Sequence, residues 1–263
     1  MNKRLTVRDI QALKAHGEGI VCITAYDALQ ARWAQDGGAH LVLVGDSMGN
    51  TVLGYENTLP VTLEQSLSAT AAVRRGAPLP LVVGDMPFLT YQASLDEAVR
   101  NAGRYLKEAG ADAVKLEGGR AMFPVIERLV AVGIPVMAHI GLLPQSVLKD
   151  GGYRLHGKSA AEAKQLLDDA KAVQDAGAFS VVLEGIPADL SEKITASLEI
   201  PTIGIAAGPH CSGQIQVITD VLGMTGTPMP KHAMTKANLY DTAVQAIRAY
   251  ATDVATANKA TAK

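Results

Sequence analysis

The sequence predicts an α/β fold, a closed (βα)8 barrel, on three observations. Eight short apolar runs recur along the chain, helical patterns separate most of them, and charged residues stand at the C-terminal ends of the runs. The repeating unit is a helical pattern that ends at Gly, followed by an apolar run that stops at a charge. Ala109-Gly110-Ala111-Asp112-Ala113-Val114-Lys115-Leu116-Glu117-Gly118 aligns as text with Ala176-Gly177-Ala178-Phe179-Ser180-Val181-Val182-Leu183-Glu184-Gly185. In each, Gly supplies a left-handed helix end and the run reads as a strand buried on both faces. The unit places strands near residues 20–26, 40–46, 80–85, 113–117, 135–140, 179–184, 201–206 and 215–219. Helical patterns over 62–75, 94–109, 121–131, 159–176 and 188–198 supply the right-handed crossovers. The gap 207–214 is too short for a full helix, so the eighth run lacks the crossover that marks the others. An open doubly wound sheet is the competing architecture, and these strands come without a G-x-G-x-x-G turn. Segment 5–16 reads as a helix that plugs the barrel bottom, 237–257 as a closing helix, and the tail beyond 252 as frayed. With no linker or break in composition, residues 1–263 read as one domain.

Composition narrows the function classes. The chain has 263 residues, 48% hydrophobic and 19% charged, with 25 glycines and a formal charge of −2. That apolar content argues against disorder, and the apolar stretch 134–144, which carries His139, is far short of a membrane span. Near-neutrality gives no electrostatic reason to bind nucleic acid or anionic lipid. Cys22 and Cys211 are too few for a disulfide scaffold, and Lys3 and Arg4 precede no apolar signal region. The expectation is a soluble cytoplasmic protein.

Strands covered on both faces read as continuous apolar runs, so the charges that end them need a reason. The ends are Tyr26-Asp27, Asp46-Ser47, Asp85, Lys115-x-Glu117, His139 and Glu184. In a closed barrel they converge on one mouth, where active sites of this fold lie. Asp27 fits a plain N-cap, because a helical pattern starts at Ala28; Asp46 and Asp85 fit that role less well, because Ser47-Met48-Gly49-Asn50 and Met86-Pro87-Phe88 read as loop. Lys115 and Glu117 point to one side of their strand and pair readily as ions, but a buried ion pair is costly. His139 alone reads equally as a satisfied core residue or a participant. Three acids from consecutive strands, Asp46, Asp85 and Glu117, suit a hard cation such as Mg²⁺. Zinc is disfavoured, since the histidines are scattered and no H-E-x-x-H occurs.

Gly152-Tyr153-Arg154-Leu155-His156-Gly157-Lys158-Ser159 satisfies the phosphate-binding string G-x-x-x-x-G-K-S. Its context is wrong, because it begins about ten residues after the strand ending at 140, and Arg154, Leu155 and His156 would crowd a backbone nest. Ser159-x-x-Glu162 reads instead as a capping box for the next helix.

In sequence order, Thr24-Ala25-Tyr26-Asp27, Val44-Gly45-Asp46-Ser47-Met48-Gly49, Thr58-Leu59-Pro60-Val61-Thr62 and Ala72-Val73-Arg74-Arg75-Gly76 are followed by three further segments. These are Gly84-Asp85-Met86-Pro87-Phe88, Val114-Lys115-Leu116-Glu117-Gly118-Gly119 and Gly141-Leu142-Leu143-Pro144-Gln145-Ser146. Together they resemble the ketopantoate hydroxymethyltransferase family, from about Thr24 to about Lys231. The resemblance implies a barrel of the phosphoenolpyruvate/pyruvate type, a divalent cation, and a homo-oligomer, commonly a decamer. It implies one-carbon transfer from 5,10-methylenetetrahydrofolate to 3-methyl-2-oxobutanoate, giving ketopantoate, the committed step towards pantothenate. It further implies Asp46 and Asp85 as metal ligands with Glu117 completing the site directly or through water, Ser47, Asp85, Lys115 and Asp46 as substrate contacts, and Glu184 as the base. Asn50, His156, Ala206 and Thr219 depart from the usual pattern; none is an implied ligand or base.

The implied reaction agrees with the residue chemistry. A 2-oxo acid chelates a cation through its carboxylate and keto oxygens, the cation makes the adjacent carbon acidic, and the metal-bound enolate attacks the one-carbon unit. Glu184, on a separate strand from the metal acids, takes the proton, with a pKa that burial and neighbouring carboxylates are expected to raise. Lys115 balances the anionic substrate. A Schiff base on Lys115 is the closest rival, and a non-catalytic binding barrel is the rival from another class. A folate glutamate tail needs basic contacts, and Arg74, Arg75, Lys149 and Arg154 are equal candidates at this point.

Overall fold

The computed structural model describes residues 3–230 and 232–261, with side chains up to residue 257. Lys231, where the family resemblance ends, and residues 262–263 of the tail lie outside the described residues. Contacts divide the chain into two compact units, Met1–Ile215 and Gln216–Lys263.

Eight parallel strands close into a barrel in sequence order: β1 (Ile20–Thr24), β2 (Leu41–Val44), β3 (Leu81–Asp85), β4 (Ala113–Lys115), β5 (Val136–Gly141), β6 (Ser180–Glu184), β7 (Thr202–Ile205) and β8 (Gly213–Gln216). The open sheet is thereby excluded. The first seven strands fall where the apolar runs place them. The eighth begins earlier than expected and ends at Gln216, and residues 218–221 form a helical turn instead. Closure explains the shift. Ile20 N–H donates to the Ser212 carbonyl at 3.1 Å, and a Cβ on Gly213 would collide with Ile20, so Gly213 lets the last strand meet the first.

The crossovers are α2 (Ala28–Asp36), α4 (Leu63–Gly76) after a one-turn α3 (Met48–Thr51), α5 (Leu95–Lys107), α6 (Phe123–Ala131), α8 (Ala160–Asp175) after a one-turn α7 (Val147–Asp150), and α9 (Ala188–Ser197). The turn α3 replaces the loop expected after Ser47. Asp27 caps α2 by accepting from the N–H groups of Leu29 and Gln30, both at 2.8 Å. Ser159 caps α8 by accepting from Glu162 N–H at 3.2 Å, and the Glu162 carboxylate turns to Lys158 N–H and Arg154 rather than closing a reciprocal box. The P-loop-like string therefore lies between α7 and α8 and follows no strand directly.

Two apolar layers hold this unit. Inside the barrel pack Ile20, Cys22, Leu41, Leu43, Leu81, Val83, Met137, Phe179, Val182 and Ile203; Ile10, from the N-terminal helix α1 (Val7–Ala15), enters the same cluster and closes the strand-start end. Between strands and helices lies a larger cluster that includes Val114, Leu116, Ile126, Leu129, Val181 and Leu183. The strand Ala113–Lys115 sends successive side chains to the two layers, as β periodicity dictates. Ala206, one of the departures from the family pattern, takes a left-handed φ of 50° immediately after β7.

In the second unit, α10 (Ile218–Val221) is followed by a loop whose Lys236 N–H donates to the Val221 carbonyl at 2.8 Å. The helix α11 (Leu239–Thr261) then runs past residue 252, where the sequence suggests fraying, and exposes Tyr240, Ile247, Tyr250 and Val254.

Candidate active site

Each strand-end charge singled out in the sequence stands at the mouth of the barrel, and most are buried there. Asp46 follows β2, Asp85 ends β3, Lys115 ends β4 with Glu117 two residues on, His139 lies in β5 and Glu184 ends β6. Asp46, Asp85, Lys115, Glu117 and His139 are each 5% exposed or less.

Lys115 Nζ occupies the centre. It donates to both oxygens of Asp85 at 2.9 Å and to Glu117 Oε1 at 3.3 Å. Burial works against its charge, but Asp85, Glu117 and Asp46 outweigh that and hold its pKa well above the ordinary lysine value. Asp46 N–H donates to Asp85 Oδ2 at 3.1 Å, joining β2 to β3 across the mouth. Burial, and then the charge of Asp85, push the Asp46 carboxyl well above its usual range. Burial raises Asp85 also, against the pull of Lys115. Glu117 behaves oppositely: Lys115 and His139 overcome its burial and hold it at about 2.

His139 bridges two carboxylates. Its Nδ1 lies 3.4 Å from Glu117 Oε1 and its Nε2 3.3 Å from Glu184 Oε2, and neither contact meets hydrogen-bond geometry. Burial and Lys115 lower its pKa, yet Glu117 and Glu184 together raise it to about 9. Glu184 is the more accessible member, with 22% of its side chain exposed and His139 Nε2 beside its Oε2. Ser47 Oγ lies 2.9 Å from Tyr26 Oη, which Thr24 Oγ1 contacts at 3.0 Å. Asp27 serves as the helix cap already described.

Two residues without an assigned role in the sequence complete the arrangement. Gln145 Nε2 donates to Asp46 Oδ2 at 2.9 Å, its backbone N–H donates to Glu117 Oε2 at 3.0 Å, and Tyr91 Oη lies 2.7 Å from its Oε1. Gln145 falls inside the Gly141–Ser146 motif, but a lone amide in a loop carries no periodicity to betray its partner. Tyr91 reads in sequence as an ordinary aromatic.

Among the described residues no group of three or more His, Cys, Asp or Glu is gathered to hold a metal ion by itself. Lys115 stands between Asp85 and Glu117, so the three acids do not meet as a cage. The donor chemistry still fits a hard divalent cation. Such an ion takes one or two carboxylates and fills its remaining positions with water and substrate. Asp46 and Asp85 are two adjoining buried carboxylates whose mutual repulsion a dication would relieve.

A family model described as ketopantoate hydroxymethyltransferase matches residues 4–259. The chain belongs to this family. A 3-methyl-2-oxobutanoate hydroxymethyltransferase of Carboxydothermus hydrogenoformans is 52% identical over 95% of this chain and 91% of its own length. One of Pseudothermotoga lettingae is 53% identical over 89% of each. As a member of the family, the chain is an enzyme, a hydroxymethyl-group transferase. Solved structures share its fold at low identity. A phosphonopyruvate hydrolase in complex with oxalate and Mg²⁺ superposes with a TM-score of 0.64 at 13% identity, covering 97% of this chain and 88% of that one. An oxaloacetate acetylhydrolase bound to 3,3-difluorooxaloacetate gives 0.61 at 17%, covering 81% and 80%. What these structures share with the chain is the fold, a closed parallel (βα)8 barrel.

Proposed function

We propose that this enzyme transfers a hydroxymethyl group from 5,10-methylenetetrahydrofolate to 3-methyl-2-oxobutanoate, forming ketopantoate in the committed step towards pantothenate. The observation that carries the reading is the division of the mouth into two parts: a buried acid and lysine cluster of Asp46, Asp85, Lys115 and Glu117, and a more accessible Glu184 held beside His139. Asp46 and Asp85 would hold Mg²⁺ or another divalent cation, with Glu117, which shares Lys115 with Asp85, completing the site directly or through water. That cation supplies Lewis-acid polarisation of the 2-oxo acid carbonyl.

The chain's own groups do the rest. Glu184 takes the proton from the carbon next to the carbonyl, and His139, whose Nε2 lies 3.3 Å from Glu184 Oε2, flanks the carboxylate that accepts it. Lys115 and Ser47 bind the anionic substrate, with Lys115 also balancing charge that develops on the keto oxygen. The carbon nucleophile then forms a C–C bond to the methylene carbon of the folate donor; one water supplies the hydroxyl oxygen, both C–N bonds to that carbon break, and tetrahydrofolate leaves. Of the four basic candidates for the folate tail, Arg74 pairs with Asp112 at 2.9 Å at the strand-start end, and Arg75 lies in the same last turn of α4. Lys149 and Arg154 lie in the segment after β5, on the mouth side, and are the residues we assign to the glutamate carboxylates.

A Schiff base on Lys115 is the second reading, and the charge held on that lysine by Asp85 and Glu117 disfavours it, since imine formation needs the neutral amine. A homo-oligomer, such as the decamer implied by the resemblance, would cover the exposed Tyr240, Ile247 and Tyr250 of α11. Among the described residues no helix is long and apolar enough to cross a membrane, in keeping with a cytoplasmic site of action.

The test is formation of ketopantoate from the two substrates, with Mg²⁺ and with EDTA. We expect activity only with the cation, and a fall in kcat of roughly 10²–10⁴ for Glu184→Gln, the usual worth of a positioned base. Full activity of that variant removes Glu184 from the role; borohydride trapping of substrate on Lys115 would move the mechanism to the Schiff base.

A further inference from the structure

Gln145 and Tyr91 take no part in the proton and group transfer described above, yet they tie its acids together. Gln145 lies in the 3-10 turn Pro144–Ser146 and is 6% exposed; Tyr91, between β3 and α5, is 1% exposed. From Nε2 the amide donates to Asp46 Oδ2 at 2.9 Å and to the Met86 carbonyl at 3.0 Å, and the backbone N–H of the same residue donates to Glu117 Oε2 at 3.0 Å. One residue thereby fixes one oxygen on each of two carboxylates from different strands.

The orientation of the amide is itself fixed. Tyr91 Oη accepts from Glu117 N–H at 3.0 Å and lies 2.7 Å from Gln145 Oε1, with the Glu117 carbonyl the longer alternative at 3.3 Å. The hydroxyl proton therefore goes to Oε1. Were the amide flipped, Oε1 would face the Asp46 carboxylate and the Met86 carbonyl, two acceptors, and the buried donors would be lost.

We propose that Gln145, its amide oriented by Tyr91, is a positioning residue for the divalent cation, holding Asp46 Oδ2 and Glu117 Oε2 so that Asp46 offers the cation Oδ1. This rests on the metal reading of the site. A carboxylate already held at one oxygen loses less freedom when the other takes a cation, and removal of such outer partners typically costs 10–100-fold in metal affinity.

The experiment is titration of the full-length enzyme with Mn²⁺ alone, following the free ion by electron paramagnetic resonance, for the wild type, Gln145→Met and Tyr91→Phe. Circular dichroism and thermal melting report folding alongside. We expect Gln145→Met to bind Mn²⁺ roughly 10–100-fold more weakly. Tyr91→Phe is expected to weaken binding by a smaller factor, because the amide stays but can turn. Wild-type affinity in both variants overturns the positioning role and leaves the metal reading standing. A wild-type enzyme that takes up no Mn²⁺ overturns the metal reading and the positioning role with it. If Gln145→Met does not fold, Tyr91→Phe decides, since its hydroxyl bonds Glu117 and Gln145 rather than Asp46: weakened binding supports the proposal and unchanged binding overturns it.

Discussion

Gly84 shows how a core position governs a site residue. A Cβ there would collide with the ring of Tyr105, which is fully buried on α5. The Tyr105 hydroxyl lies 2.7 Å from Ser66 Oγ and 2.8 Å from the Asp85 carbonyl, which Ser66 Oγ also reaches at 3.0 Å. The ring and hydroxyl thus seat the backbone from which the Asp85 carboxylate projects. Gly84→Ala is expected to cost about 1–3 kcal/mol by overpacking. In urea titration this appears as a lower midpoint with an unchanged slope, and affinity for the 2-oxo acid falls as Asp85 moves; a midpoint equal to wild type would show that the ring yields freely. In the sequence, Gly84-Asp85 marks a strand that stops at a charge, and that much was readable. The reason for the glycine was not, because it lies in a tyrosine 21 residues further on. Tyr91 and Gln145 escape for the same cause: their meaning is a contact across 54 residues.

Among the elements, α1 is held at both ends by groups that titrate or donate. Thr6 and Asp9 form a reciprocal capping box, Lys3 reaches the Asp9 carboxylate at 2.6 Å, and Lys14 Nζ donates to the carbonyls of Leu198 and Ile200 at 2.7 and 2.9 Å. Lys3 first, then Thr6, hold the Asp9 pKa at about 2, below its ordinary 3.8. A depressed carboxyl stabilises the fold fully above its unfolded value and loses that contribution as pH falls through the folded value. Asp9→Asn is therefore expected to be less stable than wild type at pH 6, with the gap closing between about pH 4 and pH 2. Urea titration across that range checks it, and a gap that stays constant with pH would assign the loss to something other than charge. The sequence reads a helix over 5–16, and α1 is observed over Val7–Ala15. The apolar pattern places the eighth strand two residues late, because its position depends on closure against β1, a contact between the ends of the barrel that no local pattern encodes.

At the scale of the whole molecule, a formal charge of −2 conceals a strong local imbalance. Asp46, Asp85, Glu117 and Glu184 gather around Lys115 and His139, and Asp46 bears the consequence, since its burial and the neighbouring Asp85 both oppose its charge. On the proposed metal reading, a site that receives a cation is destabilised without one, and removing the charge should stabilise the empty enzyme while ending its response to metal. Asp46→Asn tests this with little change of shape, because an amide oxygen at that position can still accept from Gln145 Nε2. Thermal melting in EDTA is expected to place the variant above wild type. Added Mg²⁺ at about a hundred times its dissociation constant stabilises a protein by about 2.7 kcal/mol. For the wild type, at roughly 2–4 °C per kcal/mol, that is a rise of roughly 5–10 °C. The variant is expected to show almost none of it. A variant that melts below wild type in EDTA would mean that the Asp46 charge is already compensated by Lys115, and a variant that still rises with Mg²⁺ would move the cation away from Asp46.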